Sequence, residues 1–210
     1  MKKGLFLVGI LLVPSVIYML FSLGEHHTSR LGFSGAYEID EMGDTVFKPV
    51  IIPAMMDQNG NSISKSTLDG KVVLLNTFRW PCDEACATSL TTLNNYLHKT
   101  GFENDWLLLN VCLDSISQAE LHEFSEKKLY SGNNWLYASS DDLTQLLTEC
   151  YINTGKLSSV EELPSTEVVL LDQQQRIRTF FNLRFQKDNK TMEDAIKLLI
   201  QEPHISWKEK

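Results

Sequence analysis

Two continuous apolar runs, separated by a helical pattern, constrain the fold of this chain more than any other feature. The first run covers residues 71–78 (KVVLLNTF) and the second covers residues 106–113 (WLLLNVCL). Runs without alternating polar residues are typical of strands that are buried on both faces. Between them, Leu90, Leu93 and Leu97 recur at helical spacing. Strands joined through a helix pair in parallel, so the sequence predicts an α/β fold.

Further patterns extend this unit at both ends. The remaining predicted elements are hairpins at residues 51–63 and 167–181, a strand at 135–138, and helices at 117–124, 143–151 and 192–199. Asp57–Gly60 is a turn signal, and Ser117–Glu120 has the form of a capping box. We therefore predict a mixed central sheet flanked by helices, in one domain at residues 46–205.

The N-terminus does not fit this domain. Leu5–Leu23 contains no charged residue, and at about 1.5 Å rise per residue a helix of this length crosses the roughly 30 Å hydrocarbon core of a bilayer. Lys2 and Lys3 precede the run, so the positive-inside rule exports everything after it. We predict an uncleaved transmembrane helix at residues 1–24 and a polar linker at residues 25–45. A cleaved signal peptide is the alternative and exports the domain as well.

The charge of the chain excludes one broad class of function. Lys and Arg number 19 against 27 Asp and Glu, which gives a net charge of -8. A nucleic-acid-binding domain needs a basic face to neutralise phosphates. We therefore expect no nucleic-acid partner.

Cys82 and Cys86 are the candidate chemical groups. They follow a predicted buried strand and begin a predicted helix, and residues four apart lie on one face of a helix. The positive end of the helix dipole favours the thiolate, which attacks disulfides and binds soft metals. The carboxylates of Asp83 and Glu84 oppose this activation. The alternative is a pair of buried cysteines that act as small apolar residues, or an inert disulfide.

The other cysteines and histidines give weaker signals. Cys112 lies in the second apolar run and Cys150 lies on an apolar helix stripe, so both are interpreted as core residues. His26 and His27 lie in the predicted linker and are interpreted as solvated. No second Cys or His pair complements Cys82 and Cys86, so the spacing argues against a zinc site.

Several of these segments together resemble the SCO/SenC family. The matching segments are Asp57–Gly60 with Ile63–Ser64, Leu68–Phe78, the pair Cys82 and Cys86 separated by three residues, Trp135–Tyr137 and Leu170–Arg178. The resemblance covers roughly residues 50–200 and the N-terminal anchor. It implies a thioredoxin-like fold, a tether to the bacterial inner membrane with the domain on the periplasmic side, and Cu(I) held by two Cys and one His. It also implies a role in maturation of the copper site of cytochrome c oxidase, or in thiol redox.

The chain departs from the family pattern at two places. Asp83 and Ala87 follow the cysteines where the family usually has proline. Pro164 stands where the family has its His ligand, so Cys82 and Cys86 would hold Cu(I) as two thiolates. Pro164 has a second interpretation, because thioredoxin-fold oxidoreductases carry a cis-proline before a late strand, next to the redox cysteines.

Three hypotheses for function follow. The first is a membrane-anchored SCO-like protein whose Cys82/Cys86 dithiol delivers Cu(I) to a cytochrome c oxidase subunit or maintains that subunit's thiols. The second is a copper-independent thiol–disulfide oxidoreductase that acts on other exported thiol proteins, with Pro164 as its cis-proline. The third is a non-catalytic thioredoxin-fold module that binds a partner. Serine at Cys82 or Cys86 would leave only the third unaffected.

Overall fold

A seven-stranded mixed sheet forms the centre of the domain that the structure describes. The computed structural model describes residues 31–102, 104–126, 134–159, 163 and 166–204. Its strands are β1 (Tyr37–Ile39), β2 (Thr45–Phe47), β3 (Met55–Asp57), β4 (Ser62–Ile63), β5 (Val72–Phe78), β6 (Trp106–Cys112), β7 (Trp135–Ser139), β8 (Glu167–Leu171) and β9 (Ile177–Asn182). The order in the main sheet is β4-β3-β7-β6-β5-β8-β9.

The sheet topology confirms the predicted mixed architecture. β5, β6 and β7 are parallel, and the register of β5 and β6 runs from Val72 opposite Trp106 to Phe78 opposite Cys112. The two predicted hairpins, β3–β4 and β8–β9, are antiparallel and complete the sheet at its two sides. Every residue of β5 and β6 is buried, which explains why their sequences are apolar without alternation.

Five α-helices lie within the described residues and pack on the sheet. They are α1 (Lys65–Leu68), α2 (Glu84–Leu97), α3 (Gln118–Glu126), α4 (Thr144–Leu147), which continues into a π-helical turn at Thr148–Ile152, and α5 (Gln186–Gln201). The leucines that predicted α2 are all buried. The predicted capping box before α3 is present, since Ser117 and Glu120 exchange hydrogen bonds.

The core has two layers, one on each face of the sheet. The first contains the buried residues of α2 and α5 together with alternate residues of β5 and β6, such as Leu74 and Leu108. The second contains α4, the π-helical turn and the intervening strand residues, such as Leu75 and Leu109. Because side chains of a strand alternate between faces, the position of a strand residue decides which layer it joins.

The second half of the predicted linker is tied to the sheet. β1 and β2 pair as a two-stranded hairpin, and the backbone N–H of Ser34 donates to the carbonyl of Ile177 at 3.0 Å. The buried guanidinium of Arg178 donates to the carbonyls of Leu31 and Gly32. These bonds fix residues 31–34 against β9.

The predicted transmembrane helix at residues 1–24 lies outside the described residues. Within the part of the chain that the structure describes, no helix is both long and apolar enough to cross a membrane.

Candidate functional site

The structure brings the two predicted cysteines together as a disulfide. Cys82 lies just before α2 and Cys86 lies in its first turn, with a Cα–Cα distance of 5.4 Å. Cys82 is half-buried, whereas Cys86 is only 2% exposed. The site therefore has one sulfur that an external molecule can reach and one that faces the core.

A carboxylate caps the helix that carries the disulfide. The side chain of Asp83 accepts a hydrogen bond of 2.8 Å from the backbone N–H of Cys86, and the Asp83 carbonyl accepts from the N–H of Ala87. Glu84 follows in the first helical turn and is exposed. Acidic groups at a helix N-terminus stabilise the helix, and their negative charge disfavours a thiolate at the same place.

The segment that leads from β5 to Cys82 is anchored to the end of β6. The backbone N–H of Trp80 donates to Asp114 Oδ2 at 2.8 Å, and Arg79 forms an ion pair with the same carboxylate at 3.3 Å. The Trp80–Pro81 peptide bond is cis. Sequence reasoning missed Asp114. It follows the carboxyl end of a buried parallel strand, which is where α/β proteins place their ligand-binding sites.

An aromatic cluster on the α3 side packs against the segment that precedes Cys82. Trp80 packs edge-on against Phe124 of α3 with ring centroids 5.5 Å apart. Phe124 also stacks on Phe78 at 5.3 Å and packs edge-on against Tyr137 at 5.6 Å. Trp80 and Phe124 are half-buried, so α3 forms the side of the site and holds the residues before Cys82.

Glu120 connects α3 to the same segment. Hydrogen bonds from Ser117, together with one from the Trp80 side chain, lower the pKa of the Glu120 carboxyl. The Glu120 carboxylate therefore chiefly stabilises the N-terminal turn of α3, through its hydrogen bonds from Ser117.

The two free cysteines are buried, which confirms their interpretation as core residues. Cys112 is the register partner of Phe78 and belongs to the same core layer as Cys86. Burial raises the pKa of its thiol to about 11. Cys150 lies in the opposite layer, where burial also raises the pKa of its thiol. The sheet therefore separates Cys150 from the disulfide.

Among the described residues, no histidine completes a ligand set with the two cysteines. His98 Nδ1 contacts the carbonyl of Asn94 at 2.8 Å, and His122 Nδ1 contacts the carbonyl of Gln58 at 3.1 Å. Within the described ranges, no group of three or more His, Cys, Asp or Glu is placed to hold a metal ion. Pro164, the predicted cis-proline or replacement of the family's histidine, lies outside the described residues, as do His26 and His27.

Comparison with solved structures identifies the fold. No protein-family model matches the chain, and no curated protein matches it by sequence. BsSco, described as a Sco-family cytochrome c oxidase assembly protein with a disulfide switch, matches with a TM-score of 0.59 and 14% identity, over 75% of this chain and 96% of its own.

Two further structures contain copper. Yeast Sco1 with copper bound matches with a TM-score of 0.54 and 18% identity, over 71% of this chain and 91% of its own. Bradyrhizobium japonicum ScoI with copper bound matches with a TM-score of 0.53 and 17% identity, over 73% of this chain and 99% of its own. The chain therefore has the SCO/SenC-like thioredoxin fold.

Proposed function

We propose that this chain is a thiol and copper protein of cytochrome c oxidase assembly, whose Cys82–Cys86 pair cycles between disulfide and dithiol. The observation that carries the proposal is the disulfide between one accessible and one buried sulfur at the start of α2. The fold supports it, because similar structures carry copper or a disulfide switch.

The reduced pair supplies a donor set suited to Cu(I). Two thiolates are soft ligands, and Cu(I) is a soft ion. Both sulfurs lie at one end of one helix, so they can bind one ion without a rearrangement of the sheet. The two thiols lose their protons as Cu(I) binds. The bound ion is the cargo of the protein, and the protein transfers it to the copper site of an oxidase subunit.

The test is a Cu(I) titration of the reduced full chain in detergent micelles, against a chromogenic Cu(I) chelator. We expect one Cu(I) per chain, with binding abolished by Cys82→Ser and by Cys86→Ser. The matched control is Cys150→Ser, because Cys150 lies on the opposite face of the sheet. Binding that survives both site variants, or no binding by the wild type, would contradict the copper proposal.

A second candidate function is a copper-independent thiol–disulfide oxidoreductase. The unequal exposure of the two sulfurs favours it, because an accessible thiolate can attack and a buried one can resolve. The Cys82 thiolate would attack a disulfide of an exported protein, form a mixed disulfide and release one partner thiolate. Cys86 would then displace the second partner thiolate and restore the Cys82–Cys86 disulfide. The partner gains two electrons, and the Cys82/Cys86 dithiol supplies them.

Trapping separates this candidate from copper delivery. Cys86→Ser retains the attacking thiol and lacks the resolving one, so it accumulates a mixed disulfide with a model peptide disulfide. Cys82→Ser should not accumulate it. If the wild type reduces the peptide rapidly and binds no Cu(I), the oxidoreductase is the better description. If neither activity is present, the non-catalytic binding module remains.

The proposed place of action is the periplasmic side of the bacterial inner membrane. The predicted anchor at residues 1–24 and the positive-inside rule support this orientation. In intact cells treated with a mild reductant, a membrane-impermeant maleimide should label Cys82. The Cys82→Ser chain should remain unlabelled, and a wild-type chain labelled only after cell lysis would contradict the orientation.

A further inference from the structure

A pair of buried asparagines lies in the same core layer as Cys86. Asn76 on β5 and Asn110 on β6 are opposite each other in the parallel register. Asn76 is 1% exposed and Asn110 is 0% exposed. Asn76 Nδ2 donates to Asn110 Oδ1 at 2.9 Å. Polar side chains at these two positions interrupt strands that are otherwise strongly apolar.

The pair faces the disulfide side of the sheet. Leu74 and Phe78, two residues before and after Asn76, belong to the layer that contains Cys86. Side chains alternate along a strand, so Asn76 points to that layer as well. The same reasoning places Asn110 there, because Leu108 and Cys112 are members of the layer. α2 begins just after β5 ends, and Asn76 and Asn110 lie two residues before the ends of β5 and β6.

Each amide has hydrogen-bonding capacity that the described residues do not use. Asn76 Oδ1 and Asn110 Nδ2 have no hydrogen-bond partner among those residues. If the assignment of both amide groups is reversed, the pair still keeps one acceptor and one donor without a partner. A buried polar group without a partner destabilises the folded state, and an apolar pair at these positions would avoid that cost.

Reduction of the disulfide frees a sulfur in the same core layer that can take part in hydrogen bonds. When an external dithiol reduces the Cys82–Cys86 bond, that S–S bond breaks, two S–H groups form, and the reductant becomes the disulfide. The Cys86 sulfur is then a donor as a thiol or an acceptor as a thiolate, in a place that is almost completely shielded from water. The oxidised sulfur has no proton to donate.

We infer that the Asn76–Asn110 pair is a positioning element that hydrogen-bonds the Cys86 sulfur in the reduced protein and so favours the dithiol over the disulfide. The inference rests on the proposed redox cycling of Cys82 and Cys86. It gives the two asparagines a role in setting the redox equilibrium of the site.

The test is the redox equilibrium of the full chain in detergent, measured in dithiothreitol buffers by alkylation and mass spectrometry. Replacing both asparagines together, as N76L/N110L, removes the polar groups without leaving one of them alone in the core. A net hydrogen bond shifts an equilibrium constant by about two- to tenfold. We expect the equilibrium constant for reduction to fall by about fivefold.

The matched control is Thr77→Val. Thr77 is next to Asn76 on the same strand and is 0% exposed, but it faces the opposite layer. We expect its redox equilibrium to match that of the wild type. An unchanged equilibrium in N76L/N110L, or an equal change in Thr77→Val, would overturn the inference.

Two further measurements separate this role from a purely structural one. Denaturant unfolding of N76L/N110L should show a larger loss of stability for the reduced form than for the oxidised form, and equal losses would overturn the inference. In wild-type protein, the side-chain NH₂ signals of Asn76 and Asn110 should shift on reduction, and unchanged signals would overturn it even if the variant does not fold. If dithiothreitol cannot reduce the wild-type disulfide in the native state, the proposed function itself fails.

Discussion

The carboxylate of Asp83 accepts a 2.8 Å hydrogen bond from the backbone N–H of Cys86. Asp83 therefore places a negative charge next to the start of the helix that carries the disulfide. This bond stabilises the start of α2, because Asp is among the best N-cap residues. It also places a negative charge where a thiolate would form after reduction. Helix stability and thiolate formation therefore oppose each other at Asp83.

The first prediction concerns this opposition. Asp83→Asn keeps an N-cap of similar quality and removes the charge. We expect the reduced variant to react about three- to tenfold faster with iodoacetamide at Cys82 at pH 7, because one nearby negative charge no longer disfavours the thiolate. The rate is measured by mass spectrometry of the labelled peptide.

Its control is Asp69→Asn, at the C-cap of α1. That variant also removes one carboxylate and should leave the Cys82 rate unchanged. Equal rates for Asp83→Asn and the wild type would show that the carboxylate of Asp83 does not influence the thiolate.

The second prediction concerns Arg178, whose side chain is 1% exposed. It forms ion pairs with Glu202 at 2.6 Å and with Asp172 at 3.5 Å, and its guanidinium lies 4.2 Å from the ring centroid of Phe33. Arg178→Met removes the buried cation from Glu202, which is partly buried, and from Asp172, which is buried and keeps its ion pair with Arg176 at 2.8 Å. We expect a loss of about 3–5 kcal/mol in the free energy of unfolding, measured by urea denaturation.

Arg184→Met is the comparison, since Arg184 is exposed. Its change in stability should stay within about 0.5 kcal/mol. A loss below about 1 kcal/mol for Arg178→Met would mean that neither the ion pairs of Arg178 nor its hydrogen bonds to the carbonyls of residues 31 and 32 contribute much to stability.

The sheet could be predicted from the sequence because its strands are short segments with a distinct apolar composition. β5 and β6 are buried on both faces, and β8–β9 are separated by a polar turn, so each has a signal within a few residues. The same holds for α2, whose buried leucines recur at helical spacing. The Cys82–Cys86 pair was found for the same reason, since its spacing and position are local.

Other features were missed because their partners are distant in sequence. From the sequence alone Arg178 looks like a surface charge, because its hydrogen-bond partners Leu31 and Glu202 are distant along the chain. Asn76 and Asn110 each read as one polar residue in an apolar run, and only the register of β5 and β6 makes them a pair. β1 and the first residue of β2 fall in the predicted linker, because strands of three residues are too short to give a periodic signal.

The third prediction concerns pH and the free thiols. Burial raises the pKa of Cys112 from 9.0 to about 11, so at pH 8 its thiolate is about a hundredfold less populated than that of an ordinary thiol. Reduced native protein should therefore be alkylated at Cys82 and not at Cys112 or Cys150 at pH 8. Labelling of Cys112 should begin only as the pH approaches 11.

The check is peptide mass spectrometry across a pH series, with urea-unfolded protein as the reference in which all four cysteines react. Fast labelling of Cys112 in the native state at pH 8 would contradict its burial beneath the site. It would also make Cys112 a candidate third thiol in the exchange reactions of Cys82 and Cys86.

The fourth prediction concerns the aromatic cluster. Phe124 is the ring that connects Trp80 to Phe78 and Tyr137. Phe124→Ala leaves a cavity, and because the ring is only half-buried we expect a stability loss of about 2 kcal/mol, below the range for a fully buried Phe. Trp80 also loses its main support, so Cys82 should become more accessible and its alkylation faster.

The control is Phe185→Ala. The Phe185 ring is exposed, so this variant should change neither the stability nor the alkylation rate of Cys82. A stability loss without a change in Cys82 reactivity would show that the cluster supports the fold and does not control access to the disulfide.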